Sequence, residues 1–315
     1  MEEIGVRHGK SASTNRKSKT IRRELRQLGV GLAFISPWII GFVGFTLYPV
    51  ISSFYYSLTD YNLFSNPDWV GGENYHTLLF DDHLFRTALW NTLYIAVPGV
   101  GLGLLTSVPL ALLLNSKVRG VTIFRAIYFL PSIVPIVASA ILWKWILNAD
   151  YGLLNAGLSF LHLPAPAWLS DPIWIKPALI VMGLWGVGAP VILYLAALQD
   201  VPRSLYEVAD LDGATFLQKT FHITLPMISP VILFNTIIAV IGWLQYFSES
   251  FIITAGTGGP ANAALFYVLY LYQRAFRDLQ MGYASALAWL LFMVTLMITL
   301  VILRLSRRVV YYEVK

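Results

Sequence analysis

The sequence predicts an all-α polytopic membrane protein with six transmembrane helices. Hydrophobic residues make up 57% of the chain and charged residues only 12%, whereas a soluble domain carries about 25% charged residues. Six apolar stretches reach the length of about 20 residues that a helix needs to cross a bilayer. None of them alternates like a barrel strand, and backbone amides in lipid must be paired within their own segment, so we expect helices.

The six stretches follow one another with short polar intervals. We place them at residues 28–56, 88–114, 122–147, 177–198, 231–251 and 283–303. The chain is thereby divided into five regions. These are a basic tail (1–27), the first transmembrane helix (28–56), an external segment (57–87), a five-helix core (88–303) that contains a polar loop at 200–230, and a C-terminal tail (304–315).

Glycines and prolines within the spans predict close contacts and bends. Gly99 and Gly103 form a small-residue contact face on the second span. Pro131 and Pro135 are expected to kink the third span, and Pro190 the fourth. Each of these residues is also compatible with packing alone.

The distribution of Lys and Arg predicts the orientation. Residues 1–27 hold eight Lys/Arg against three acids, and alternate polar segments divide the basic residues seventeen to four. Because basic residues concentrate on the cytoplasmic side, both termini and the 200–230 loop are expected in the cytoplasm of a multi-pass cell-membrane protein. Such a tail is therefore read as an orientation signal, and no nucleic-acid partner is expected.

The sequence lacks the residue patterns that several classes of enzyme and metal-binding protein require. The chain has no cysteine, which excludes disulfides and thiolate metal sites, and its five histidines are scattered without ligand spacing. There is no nucleophile elbow, phosphate-binding loop or metal-ligand cluster. We expect neither a catalytic site nor a metal site.

The 200–230 loop reads as two short helices joined by a turn. Ser204 and Glu207 have the spacing of a capping box, and Gly213 can adopt the left-handed backbone that ends a helix. A second helix is expected from Ala214 onward, and Pro226 and Pro230 are expected to stop it.

Three phrases in this loop, Glu207-Val208-Ala209, Asp212-Gly213 and Leu225-Pro226, resemble a known motif. It is the "EAA…G…LP" loop of permease subunits in binding-protein-dependent ABC importers; Val208 departs from the usual alanine. The resemblance implies a type I permease architecture, with Glu207, Ala209, Asp212, Gly213, Leu225 and Pro226 coupling the chain to an ATPase. A capped helix with a glycine stop would be the local alternative.

Other phrases resemble the carbohydrate-uptake branch of this family, and specifically the first permease of the pair. They are Ser36-Pro37-Trp38, Leu47-Tyr48-Pro49, Trp69 to Tyr75, Gly256 to Pro260 and Gly282 to Ala286. The resemblance implies a second permease, ABC ATPase subunits and an extracytoplasmic solute-binding protein as partners. It implies no cofactor on this chain, with ATP and Mg on the ATPase subunits. The expected solute is a monosaccharide, an oligosaccharide or glycerol phosphate.

A substrate path is expected along the fifth span. Asn235, Gly242 and Glu249 are seven residues apart and would share one helix face, and Trp243, Gln245 and Tyr246 lie beside them. Amide, carboxylate and aromatic groups suit a sugar, and a polar stripe must avoid lipid. Hydrogen bonding between helices would explain Asn235 and Gln245 equally well, and Glu249 could simply reach outer water.

The alternative function is an ion-gradient-driven secondary transporter or channel. Such a protein needs paired intramembrane acids or a filter-like loop. The sequence offers only scattered candidates for either.

Overall fold

A computed structural model describes residues 27, 29–116, 119–307 and 310. The chain divides into two units, Met1–Tyr56 and Ser57–Lys315. The predicted basic tail, apart from Gln27, and most of the predicted C-terminal tail lie outside the described residues.

The described residues contain all six predicted apolar stretches as helices. Five are long enough to cross a membrane singly, and one is a bent pair. The first to sixth spans are Gly29–Ser57, His83–Leu114, Val121–Ile133 with Ile136–Ile146, Ile175–Gln199, Phe216–Thr254 and Met281–Ser306. The second span begins five residues before the predicted start, because Asp82 caps it through a hydrogen bond from the Phe85 N–H.

Prolines set the breaks in the third and fourth spans. The two halves of the third span meet at 102°, where Val134 is extended and Pro135 precedes the second half; a residue before proline avoids helical geometry. The fourth span consists of Ile175–Leu184 and Gly188–Gln199. Its break precedes Pro190, which cannot donate to the carbonyl of residue 186. The predicted kink at Pro135 is confirmed. Before Pro190 the helix is interrupted within a single span, and Pro131 lies inside the helix Val121–Ile133.

The remaining elements are short. Strands Thr59–Asp60 and Asp68–Trp69 pair antiparallel, with Thr59 opposite Trp69. The other elements outside the spans are helices Glu73–His76, Leu153–Phe160, Arg203–Leu211 and Tyr267–Tyr272, π turns Thr77–Asp81 and Gln273–Arg277, and a 3-10 turn Pro260–Asn262.

Two cores hold the opposite ends of the second unit together. At the end where the second span finishes, Leu114 packs with Tyr194, Leu198 and Ile228; we call this the loop end, because the 200–230 loop adjoins it. At the other end, Phe85, Tyr267, Tyr270 and Leu287 pack with Leu78. We call residues 57–82 and 255–280 the cap. The end of the second unit that contains this second core is the cap end.

Candidate functional site: the 200–230 loop and the fifth span

The first helix of the 200–230 loop ends as predicted but begins differently. It runs over Arg203–Leu211 after Pro202, and no side chain caps its start. The Ser204–Glu207 capping box is therefore wrong, because Ser204 already lies inside the helix. Gly213 has φ +73°, and the N–H of Ala214 donates to the carbonyl of Ala209 at 2.9 Å, which confirms the left-handed helix end.

The capping box lies at the second helix instead. Thr215 caps Phe216–Lys219, and the Gln218 side chain accepts from the Thr215 N–H at 2.7 Å. The Thr215-x-x-Gln218 pattern and the Ser204-x-x-Glu207 pattern both have capping-box spacing, and only the first forms the box.

Pro226 and Pro230 do not stop the second helix, so that prediction is wrong. Phe216–Lys219 continues through a π turn, Thr220–Thr224, into the helix Leu225–Leu244. The wider hydrogen-bond spacing of the π turn falls directly before Pro226, whose missing N–H would otherwise interrupt the ladder. The second loop helix and the fifth span as far as Leu244 therefore form one continuous helix, Phe216–Leu244, which we call the rod.

Polar contacts hold the two loop helices together. Lys219 pairs with Asp210, and the Tyr206 and Thr224 hydroxyls lie 2.9 Å apart. Both contacts join the first helix to the rod, so a displacement of the first helix is passed on to the fifth span.

The outer surface of this loop is apolar although the loop itself is polar. Leu211 is 88% exposed and Phe216 71% exposed, and Val208 and Leu217 are also exposed. Glu207 is exposed beside them. Val208 and Leu211 lie outside the six spans, and Phe216 and Leu217 are in the first turn of the fifth. A group of exposed apolar side chains at the end of a span, beside a polar loop, is typical of a protein-binding surface.

The structure brings together only part of the predicted coupling set. Ala209, Asp212 and Gly213 line a cleft of about 340 Å³ between the two loop helices. Glu207 lies on the exposed side of its helix, outside this cleft. Leu225 and Pro226 are half-buried at the start of the long helix.

The predicted polar stripe on the fifth span is broken. The helix ends at Leu244, and a new one begins at Ser248, so the seven-residue spacing does not place Glu249 on the face of Asn235. Asn235 is buried, whereas Gly242 and Gln245 are exposed on this chain. Asn235 donates to the Val231 carbonyl at 3.0 Å, which is a bond within its own helix.

Trp243, a residue of the predicted path, packs closely against two glycines. A Cβ added to Gly99 would lie 2.4 Å from its indole, and one added to Gly183 would lie 2.5 Å away. The ring therefore fills a slot between the second and fourth spans. Tyr246 stacks on it with ring centroids 5.4 Å apart and planes 13° apart. Gly103, predicted to share the contact with Gly99, has no atom within 4 Å of its added Cβ.

A small cavity of about 130 Å³ opens next to this slot. Asn235 and Trp243 line it together with Ser107 and Tyr194, which the sequence analysis missed. Ser107 and Tyr194 lie one turn or more inside apolar stretches, where a lone hydroxyl gave no periodic signal. Both are buried, so the cavity combines an aromatic wall with polar groups.

At the cap end, Asp82 is the centre of a second polar cluster that the sequence did not reveal. Its side chain is 8% exposed and lies 3.9 Å from the Arg274 guanidinium. The Tyr270 and Tyr283 hydroxyls donate to it, and Arg274 Nε donates to the Tyr270 oxygen at 2.7 Å. This cluster borders a cavity of about 530 Å³.

The partners of Asp82 decide its charge. Burial raises the pKa of this carboxyl, but the hydrogen bonds from Tyr270, Tyr283 and the Phe85 N–H, with the Arg274 charge, outweigh it, so the pKa lies below its ordinary value. Asp82 is therefore ionised at neutral pH. It joins the second span, the cap and the sixth span.

The structure also bears on metal binding. Within the part of the chain that the structure describes, no group of three or more His, Cys, Asp or Glu side chains is arranged to hold a metal ion.

Comparisons with known proteins agree with this architecture. Residues 99–311 match the family described as binding-protein-dependent transport system inner membrane component. The chain is 38% identical over 309 residues to the probable ABC transporter permease protein YesP of Bacillus subtilis, covering 98% of this chain and 99% of that one. It is 36% identical over 266 residues to the lactose transport system permease protein LacF of Rhizobium radiobacter, covering 83% and 88%.

A solved structure is similar over most of its length. It is that of a bacterial ABC transporter involved in the import of the acidic polysaccharide alginate, with a TM-score of 0.82, 27% identity, and coverage of 93% of this chain and 100% of that one. The ion-gradient-driven transporter or channel has no support among these relatives. The chain belongs to the binding-protein-dependent transport system inner membrane component family, the permease subunits of ABC transporters.

Proposed function

We propose that this chain conducts a carbohydrate through the membrane as one of two permeases of an ATP-driven importer. The names of its relatives support a carbohydrate, since they include permeases for lactose and for arabinooligosaccharides. The aromatic and amide groups beside the cavity on the fifth span suit a sugar, whose rings stack on flat faces and whose hydroxyls bond to amides.

The partners we propose are a second permease, ABC ATPase subunits and an extracytoplasmic solute-binding protein. A similar solved complex contains a pentasaccharide-bound periplasmic protein, which supports the last of these. ATP hydrolysis takes place on the separate ATPase subunits, which bind ATP and Mg. The 200–230 loop and both termini would face the cytoplasm, as the distribution of basic residues favours.

The observation that carries the mechanism is the single rod from Phe216 to Leu244. One end of the rod adjoins the exposed apolar surface that would dock on an ATPase, and the other end holds Trp243 in its glycine slot. Closure of the ATPase dimer would move the loop, and the rod would carry that motion to the indole. Two packing arrangements of Trp243 against Gly99 and Gly183 would then correspond to a closed and an open substrate path.

The docking role is tested by polar substitution of the apolar surface. Leu211→Ser and Phe216→Ser, together, should reduce co-purification of the ATPase subunits at least tenfold, because both side chains are exposed and neither supports the loop helices. Phe64→Ser is the matched control, since Phe64 is 83% exposed in the cap and should leave ATPase recovery unchanged. Full ATPase recovery with the double variant would refute the docking role.

The path is tested at Asn235. Asn235→Leu should lower solute uptake at least fivefold in vesicles while the ATPase subunits remain bound, because it removes the amide but keeps the side-chain size. Gln245→Leu is the control, since Gln245 is exposed away from the cavity. Equal uptake by wild type and Asn235→Leu would assign Asn235 to helix packing alone.

A further inference from the structure

A groove at the loop end lies apart from the substrate path and from the 200–230 loop surface. Its volume is about 390 Å³, and the second, third and fourth spans form its walls. Leu114 and Gln199, the last residues of the second and fourth spans, lie at its rim with Arg125. The rim is therefore at the level where these helices leave the membrane.

The rim carries the positive charge of Arg125. Arg125 donates from Nε and Nη2 to the Leu114 carbonyl at 3.3 and 2.8 Å, which fixes the guanidinium at the mouth. Its Nη1 has no partner among residues 29–116 and 119–307, and the residues lining the groove include no Asp or Glu. Arg119, in the turn before the third span, is exposed.

The inner part of the groove is mainly apolar. Phe129, Ile192 and Leu195 are among its walls. At the inner end the third and fourth spans touch, since a Cβ added to Gly188 would lie 2.1 Å from the Tyr128 carbonyl. The groove thus changes from a cationic mouth at the membrane surface to a hydrocarbon interior.

We propose that this groove binds one phospholipid with an anionic headgroup. The phosphate would bind the unpaired edge of the Arg125 guanidinium, which suits phosphate oxygens in geometry and charge. An acyl chain would lie between the third and fourth spans. Basic pockets between membrane helices attract anionic headgroups in this way, and no Asp or Glu lines the groove to pair with a choline or ethanolamine group.

Lipid binding is measured by native mass spectrometry of the whole purified importer, titrated with phosphatidylglycerol and with phosphatidylcholine. Phosphatidylglycerol should bind at least fivefold more tightly. Arg125→Gln should remove this preference, and Ile192→Trp, which fills the groove without touching Arg125, should weaken the binding of phosphatidylglycerol at least fivefold. Arg304→Gln is the control, an exposed arginine in the last turn of the sixth span, and should change neither.

A second measurement identifies the occupant directly. A photo-crosslinking amino acid at position 192 should yield a lipid adduct in native membranes. A protein adduct, to the second permease or to the first span, would overturn the proposal, as would equal binding of the two lipids by the wild-type complex. Thermal unfolding of each variant complex is measured as a control. The Ile192→Trp complex should unfold within a few degrees of wild type, so that weaker lipid binding can be attributed to the filled groove and not to unfolding.

Discussion

At the scale of single residues, two glycines and one indole fix the contact between three spans. Gly99 and Gly183 leave no room for a Cβ beside Trp243, whereas Gly103, one turn from Gly99, faces open space. Gly99 and Gly103 therefore differ in what they tolerate, although the sequence presents them as an equivalent pair.

Gly99→Ala should destabilise the protein by about 1–3 kcal/mol, because the added methyl forces the indole out of a well-packed slot. Gly103→Ala should be neutral within about 0.5 kcal/mol. Thermal unfolding of the two purified variants measures the difference. Recovery of stability in Gly99→Ala with Trp243→Phe would identify the ring as the clashing group, and equal stability of the two single variants would argue against the slot.

Asp82 makes the cap end sensitive to acid. Its folded pKa lies below the ordinary value of 3.8, so it contributes stability that is fully present above that value and is lost as the pH falls through the folded pKa. Neutral pH leaves this contribution intact.

Asp82→Asn should lower stability at pH 7 by about 1–3 kcal/mol, the range for hydrogen bonds to a charged group. The same variant should lose less stability than wild type between pH 5 and 3, because the titrating group is gone. Asp278→Asn is the control, a 37% exposed partner of Arg274, and should cost about 0.5 kcal/mol or less. Parallel pH–stability curves for Asp82→Asn and wild type would contradict this account.

At the scale of elements, the 200–230 loop is stiff because the turn between its two helices is closed by local hydrogen bonds and an ion pair. Gly213 ends the first helix, Thr215 and Gln218 start the second, and the Asp210–Lys219 pair joins the two. A loop of this kind moves as a body, which is what a mechanical coupling requires.

Gly213→Val should uncouple this element without affecting membrane insertion. A β-branched residue at φ +73° costs about 1–2 kcal/mol, so the turn should open and substrate-stimulated ATPase activity should fall severalfold. Gly120→Val is the matched control, since Gly120 has φ +82° in the loop before the third span. It should carry a similar strain and retain stimulation. Loss of stimulation in both variants would point to general destabilisation.

The sequence predicted the spans well and their interruptions less well. Length and hydropathy determine where a helix can cross lipid, and proline chemistry located the bend at Pro135 and the interruption before Pro190. The break between Leu244 and Ser248 contains no Pro or Gly, so no local signal marks it. Within it, Tyr246 packs edge-on against Phe266, which is distant in sequence. Local helix propensity does not predict the π turn before Pro226 either. The contacts of Asp82 with Tyr270 and Tyr283 join residues that are far apart in the sequence, so no local pattern indicated them.

At the scale of the whole molecule, the number of crossings depends on the bent third span. Five single helices can cross a membrane, and the pair Val121–Ile133 and Ile136–Ile146 brings the number to six if it is one broken span. The distribution of basic residues favours six, with the third span crossing.

Side-specific labelling of single cysteines tests this directly, because the chain has no cysteine of its own. Asp212→Cys should react only with reagent on the cytoplasmic side, and Asp150→Cys, beyond the third span, only with reagent outside. Cytoplasmic labelling of Asp150→Cys would make the third span a re-entrant hairpin and would reduce the crossings to five.

The continuous helix from Phe216 to Leu244 also makes position 243 suitable for a spectroscopic label, placed there alone because the chain has ten tryptophans. The rod contains 29 residues, Phe216–Lys219, Thr220–Thr224 and Leu225–Leu244, so at 1.5 Å per residue its two ends are about 40 Å apart. Fluorotryptophan incorporated at position 243 would report, as a change in its fluorine resonance, each nucleotide-driven displacement at the distant end.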